Sequence, residues 1–131
     1  MIRGIGVDIM DLARIAPLEG KWDDPFFKRI FTEGERAEAA AREAESGSRA
    51  ALRYFAGRFA IKEAVAKALN AQDVEVEFPQ IETLSLPSGA PRTRITGSAA
   101  ALVGQAALHV SLSHEENAVV AFCVAESDDS V

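Results

Sequence analysis

The segment from Arg49 to Leu69 narrows the possible folds most: Leu52, Phe55, Ala56, Phe59 and Ala66 recur at helical spacing and predict one long helix with an apolar face. After Asn70 the period changes. Val74, Val76 and Phe78 alternate with Glu75 and Glu77, and Ile81, Leu84 and Leu86 follow, a pattern of strands. Upstream, Ile2 to Asp11 is apolar and rich in β-branched residues, and its Gly4 and Gly6 predict a buried strand that another backbone approaches closely. Asp24-Pro25 starts a short helix through Phe26, Phe27, Ile30 and Phe31. Thr32-Glu33-Gly34-Glu35 is a capping box opening an Ala- and Glu-rich helix that runs to about Glu45 and ends at Ser46-Gly47-Ser48.

Turn chemistry at Pro87 to Pro91 leads into a strand at Arg92 to Thr96, and Gly97 to Leu108 reads as a short Ala-rich helix. Two last strands, Val110 to Ser113 and Ala118 to Val124, are joined by His114 to Asn117, and the tail from Glu126 to Val131 is expected to fray. With no repeat and no linker, residues 1–131 read as a single domain of the α+β class, an antiparallel sheet packed on a long central helix.

At 131 residues and 48% hydrophobic, the chain has material for one core. A net charge of −6 argues against a protein that lives on a nucleic-acid backbone, where many Lys and Arg contacts to phosphate are needed. The only cysteine, Cys123, lies in an apolar run and reads as a reduced, buried thiol, which fits a cytoplasmic protein. No apolar stretch approaches the roughly 20 residues of a spanning helix, so a soluble protein without a membrane partner is expected.

Two carboxylates stand out against this background. Glu63 falls close in angle to Phe59, on the side of the helix that carries Leu52, Phe55 and Ala66, where an ionised group needs a cation or another partner. The alternative is a helix-surface pair, because Glu63 and Lys67 have the favoured i, i+4 order. Asp8 interrupts Ile5-Gly6-Val7-Asp8-Ile9, and its alternative is a cap for the segment that follows. Two carboxylates without a cysteine or histidine cluster suit magnesium, which uses one or two protein carboxylates plus waters and substrate phosphates. Arg53, Arg58, Lys62 and Lys67 add cations to the same helix; Arg53 reads as a solvated charge, while Lys62 and Lys67 flank Glu63. His114 is placed to donate to a phosphate or to orient its hairpin, and His109 reads as structural.

Together these blocks resemble the holo-(acyl-carrier-protein) synthase family of phosphopantetheinyl transferases. The resemblance rests on Ile5 to Ile9 with Arg14-Ile15, on Phe31 to Arg36, and on Ser88 to Pro91 and Val110 to His114. Its most specific block is Ala56-Gly57-Arg58-Phe59-Ala60-Ile61-Lys62-Glu63-Ala64-Val65-Ala66-Lys67-Ala68-Leu69. The resemblance implies the 4′-phosphopantetheinyl transferase fold and transfer of phosphopantetheine from coenzyme A to a carrier-protein serine, with release of adenosine 3′,5′-bisphosphate. It implies that Asp8 and Glu63 hold Mg2+, with Lys67 beside them as a catalytic group. Arg58, Lys62, Lys67 and His114 would lie near coenzyme A and its phosphates. The acceptor of the serine proton stays open between Glu63 and a water oriented by Asp8.

The family further implies a homotrimer with sites between subunits, and a role in fatty acid biosynthesis. Acyl carrier protein, free or as a domain of a fatty acid synthase, is acidic. Its docking surface would use Arg14, extended by Lys21, Lys28 and Arg29, although Glu19, Asp23 and Asp24 share that stretch. Competing readings are a magnesium-dependent phosphodiesterase, which would need more acidic ligands or a basic track, and a nucleotide-binding module without turnover, which would show no metal dependence.

Overall fold

In the computed structural model, which describes residues 1–104 and 106–127, the long helix is α3, Ser48–Asn70. Before it come β1 (Ile2–Asp11), short 3-10 turns at Leu12–Arg14 and Ala16–Leu18, α1 (Pro25–Ile30) and α2 (Glu33–Ser46). After it come a 3-10 turn at Phe78–Gln80, β2 (Ile81–Ser85), β3 (Pro91–Ile95), α4 (Ala99–Val103), β4 (Ala107–His114) and β5 (Ala118–Glu126). An antiparallel sheet of order β1-β5-β4 covers α3, and β2 pairs with β3 in a separate hairpin.

The helix starts are those the sequence dictates. Asp24 Oδ1 accepts the Phe26 amide at 2.9 Å, and Pro25 opens α1. Thr32 Oγ1 accepts the Glu35 amide at 3.1 Å while Glu35 Oε1 accepts the Thr32 amide at 3.0 Å, which closes the capping box of α2. Gly47, at φ 93°, then turns the chain directly into α3.

Helix α3 is buried around far more of its circumference than a single apolar face would require: Tyr54, Phe55, Ala56, Gly57 and Arg58 are all buried in succession. The sheet lies on one side and α1, α2 and β2 enclose the others, so α3 is a core helix. A Cβ on Gly4 would stand 2.1 Å from the Ala68 carbonyl oxygen and one on Gly6 1.9 Å from that of Ala64, so these two glycines let β1 lie directly on α3. On the α1 side, the Phe55 ring packs 4.7 Å from Phe27 and 4.8 Å from Phe31, centroid to centroid.

Four expectations change. Only one face of β1 is buried: Gly6 and Met10 face α3, while Ile5, Val7 and Ile9 are 59%, 53% and 67% exposed. Among the described residues no helix covers that outer face, which continues through Val120 and Phe122. Residues 74–77 form no strand; Val74, Val76 and Phe78 pack on the core, and Pro79, which has no amide to give a ladder, sits in the 3-10 turn. The Ala-rich helix shrinks to α4, because Gly104 at φ 67° ends it and Ala107 already pairs with Glu126; Gln105 lies outside the described residues. At the C-terminal end Glu126 belongs to β5, opposite Ile2, whereas residues 128–131 of the expected frayed tail lie outside the described residues. Among the described residues, no helix is long and apolar enough to cross a membrane.

Candidate active site

Strand alternation turns Asp8 toward α3, with its side chain 17% exposed. One helical turn beyond Glu63, Lys67 reaches back to it: Nζ donates to the Val7 carbonyl at 2.9 Å and stands 3.6 Å from Asp8 Oδ1. Asp8 Oδ2 is buried and has no hydrogen-bond partner among the described residues. A buried carboxylate oxygen left bare is costly, so this atom asks for a cation. Asp8 is not a helix cap; Asp11 does that work, its Oδ1 accepting the Ala13 amide at 2.9 Å.

Glu63 does not form the helix-surface pair with Lys67, whose charge goes to Asp8. Nor does it face the core. It is half-buried on the wall of a cleft of about 660 Å³ that Lys67, Asn70, Glu75 and Glu77 also line. Among the described residues no group of three or more His, Cys, Asp and Glu side chains could enclose an ion. An orphaned carboxylate oxygen on Asp8, with Glu63 one helical turn before the Lys67 that meets it, offers oxygen donors only, a chemistry that suits magnesium completed by waters and phosphate better than zinc.

Arg58 and His114 meet elsewhere, in a hollow of about 340 Å³ lined also by Arg42, Arg53, Tyr54 and Ser85. Arg58 is only 5% exposed. Its Nε donates to the Thr83 carbonyl at 2.9 Å and its Nη2 to Ser85 Oγ at 3.0 Å, and its guanidinium lies 4.4 Å from the Tyr54 ring centre. Tyr54 donates to Glu38 Oε1 at 2.6 Å; burial raises its pKa, Arg58 opposes the rise and the bond to Glu38 adds to it. His114 ends β4 rather than sitting in the turn beyond, because β4 pairs with β5 as far as Val119. Within one chain, therefore, Asp8, Lys67 and Glu63 gather on one side and Arg58 and His114 on another.

Arg42 and Arg53 were not among the expected site residues, although both line the second hollow. The signal for them is the turn at Gly47. It folds α2 back along α3, so residues at similar distances before and after it become neighbours, as Glu38 and Tyr54 do.

Lys62 requires a correction. It was expected near coenzyme A, but its side chain is fully buried and its ammonium is spent inside the protein. Nζ pairs with Glu35 Oε1 at 2.8 Å and donates to the Phe78 carbonyl at 2.9 Å and to the Ile81 carbonyl. Burial pushes its pKa down, and Glu35 works against that shift.

The expected docking residues Arg14, Lys21 and Lys28 are all exposed, on the first 3-10 turn, the connection after the second, and α1. The Arg14 guanidinium stands 6.0 Å from the Phe59 ring centre. Two of the acids that seemed to spoil this patch are engaged internally. Glu19 accepts from Ser48 Oγ at 2.7 Å and lies 3.6 Å from Arg49, and Asp24 caps α1.

Residues 4–123 match the 4′-phosphopantetheinyl transferase superfamily. The chain is 41% identical to a holo-(acyl-carrier-protein) synthase of a Methylobacterium species over 97% of this chain and 96% of that one. It superposes on the Bacillus anthracis holo-(acyl-carrier-protein) synthase in complex with CoA (3′,5′-ADP) with a TM-score of 0.75 at 37% identity, covering 98% of this chain and 99% of that one. The Neisseria meningitidis enzyme of the same description gives 0.76 at 34% identity over 97% and 100% of the two chains. The α+β architecture and the family blocks thus agree, and the chain belongs to the 4′-phosphopantetheinyl transferase superfamily, in its holo-(acyl-carrier-protein) synthase family.

Proposed function

We propose that this chain, acting as one domain over residues 1–131, transfers the 4′-phosphopantetheine group of coenzyme A to a serine of an apo-acyl carrier protein and releases adenosine 3′,5′-bisphosphate. The observation that carries the reading is Asp8: a buried carboxylate oxygen without a partner, beside Lys67, in a chain 37% identical to a synthase in complex with CoA (3′,5′-ADP). Asp8 and Glu63 would hold Mg2+, which when bound supplies charge neutralisation for the diphosphate. Lys67 brings its ammonium to the same place and, once a diphosphate arrives, trades the Val7 carbonyl and Asp8 for phosphate oxygens. Arg58 is too deeply engaged to swing toward a ligand; it fixes Ser85 and the Tyr54 ring, and so shapes the hollow that His114 opens onto.

The separation of these two groups within one chain supports a homotrimer in which one subunit's Asp8, Glu63 and Lys67 face a neighbour's Arg58 and His114. The uncovered apolar face of Ile5, Val7, Ile9, Val120 and Phe122 supplies the surface for such an assembly. An acidic carrier would dock on Arg14, Lys21 and Lys28 by charge complementarity. The acceptor belongs to fatty acid biosynthesis in the cytoplasm, a setting in keeping with a lone buried thiol, Cys123, whose pKa burial raises to about 11.

The test is to weigh an apo-acyl carrier protein by intact mass spectrometry after incubation with the protein, coenzyme A and magnesium. A gain of one phosphopantetheine that needs magnesium and vanishes in Asp8→Ala and Glu63→Ala is the expected result. Coenzyme A hydrolysis without carrier modification would favour a phosphodiesterase, and binding without either reaction a nucleotide-binding module.

A further inference from the structure

Away from both hollows, a third cavity of about 140 Å³ opens where the segment before α1 crosses the α2–α3 pair. Trp22, Ala39, Ala40, Ala51 and Phe55 give it apolar walls, and Arg36 supplies its one charge. Arg36 makes no ion pair among the described residues, and its Nε is buried without a hydrogen-bond partner. On the far side of the indole, Glu43 Oε2 accepts the Trp22 ring N–H at 2.5 Å. The Trp22 ring is held by Phe27 at 5.3 Å and Phe55 at 5.4 Å, centroid to centroid, so it stands as a fixed wall.

We infer that this cavity is a binding site for a small monocarboxylate with an apolar body of about six carbons. An apolar cavity of roughly 150 Å³ accommodates a benzene-sized molecule. A bare guanidinium at its edge selects an anion, and a carboxylate can take Nε together with a second guanidinium N–H. Trp22 lies between Arg14 and Lys28 in the chain, so occupancy would be felt in the surface proposed for the carrier. That consequence rests on the proposed function, whereas the binding itself does not.

Because Trp22 is the only tryptophan, its fluorescence reads the site directly. Hexanoate titrated at fixed pH and ionic strength should produce a saturable change with a dissociation constant on the order of 1 mM, as expected for so few ligand atoms. Acetate at equal concentration should not. Arg36→Gln should weaken hexanoate about tenfold or more and leave the weak response to hexanol unchanged, while Ala40→Leu should abolish both. Thermal melts of each variant report whether it is folded, and saturation-transfer NMR on hexanoate gives a second readout. Absence of saturable hexanoate binding to the unaltered protein, or equal binding by folded Arg36→Gln, would overturn the inference. Either result can be had whether or not the protein modifies a carrier, so this site and the proposed function stand or fall separately.

Discussion

Replacing Lys62 by methionine separates a structural lysine from a ligand-binding one. Its ammonium has three N–H groups and three acceptors, Glu35, the Phe78 carbonyl and the Ile81 carbonyl, with the side chain at 0% exposure. Glu35, also at 0%, keeps two amides after the substitution, those of Thr32 and Thr83 at 3.0 and 2.9 Å, but loses the cation paired with it. Removing one partner of a buried ion pair costs about 3–5 kcal/mol, a large share of the roughly 5–15 kcal/mol that holds a domain of this size. That loss corresponds to a fall in Tm of about 10–20 °C. Burial lowers the Lys62 pKa, so the unfolded chain binds the proton more tightly and this amine favours folding more as pH rises toward its ordinary value of 10.5. Lys62→Met should therefore be compared near neutral pH, by urea unfolding, beside Glu35→Gln and the double variant. The double variant should lose at least about 2 kcal/mol less than the sum of the singles, because each single strands a group that the double does not. Measured well below its lowered Tm, Lys62→Met should keep its KM for coenzyme A within about twofold. A stable Lys62→Met variant with a strongly raised KM would refute the structural assignment and return Lys62 to the cofactor site.

Two further outcomes follow from the packing. Gly6→Ala sets a methyl group 1.9 Å from the Ala64 carbonyl oxygen, so β1 must lift off α3; the expected cost is about 3 kcal/mol, read as a lowered urea midpoint, and a neutral effect would contradict the close approach. Glu82 is buried, which alone would raise its pKa, but the Thr32 hydroxyl at 2.6 Å and Arg94 at 2.8 Å outweigh that and lower it. A carboxylate held below its ordinary 4.5 stabilises the fold above that pH and loses this contribution as pH falls through the folded value. Glu82→Gln should then cost about 1–2 kcal/mol at pH 7 and progressively less below pH 4.5, and a gap independent of pH would argue against the charged network.

Most of the frame was legible in the sequence because its signals are local. A capping box, a proline after an N-cap aspartate and a glycine between two helical runs each act within a few residues, and α1, α2 and α3 begin where those signals stand. Failures came where a pattern has two physical readings. The alternation of Val74, Val76 and Phe78 records burial of every second side chain, which an extended segment lying on the core satisfies as well as a strand does. Lys62 failed for a similar reason: sequence shows a lysine beside Glu63, but not that Glu35, from another helix, waits in the interior to receive it. Arg42 and Arg53 became site candidates only when the turn at Gly47 brought α2 against α3.

The properties of β1 are tied together by its period of two. Gly4, Gly6, Asp8 and Met10 look toward α3, so the same alternation that brings β1 within touching distance of the helix delivers the Asp8 carboxylate to Lys67. Ile5, Val7 and Ile9 necessarily look the other way, where nothing among the described residues covers them. A slip of one residue would exchange the two faces, burying three bulky side chains against a helix with no room for them and expelling Asp8. The glycines therefore fix more than packing: they set the register in which one strand offers a carboxylate to the site on its inner face and an uncovered apolar surface on its outer one. Under the trimer proposed here, site and interface are two faces of a single strand, and a substitution that disturbs one should be felt in the other.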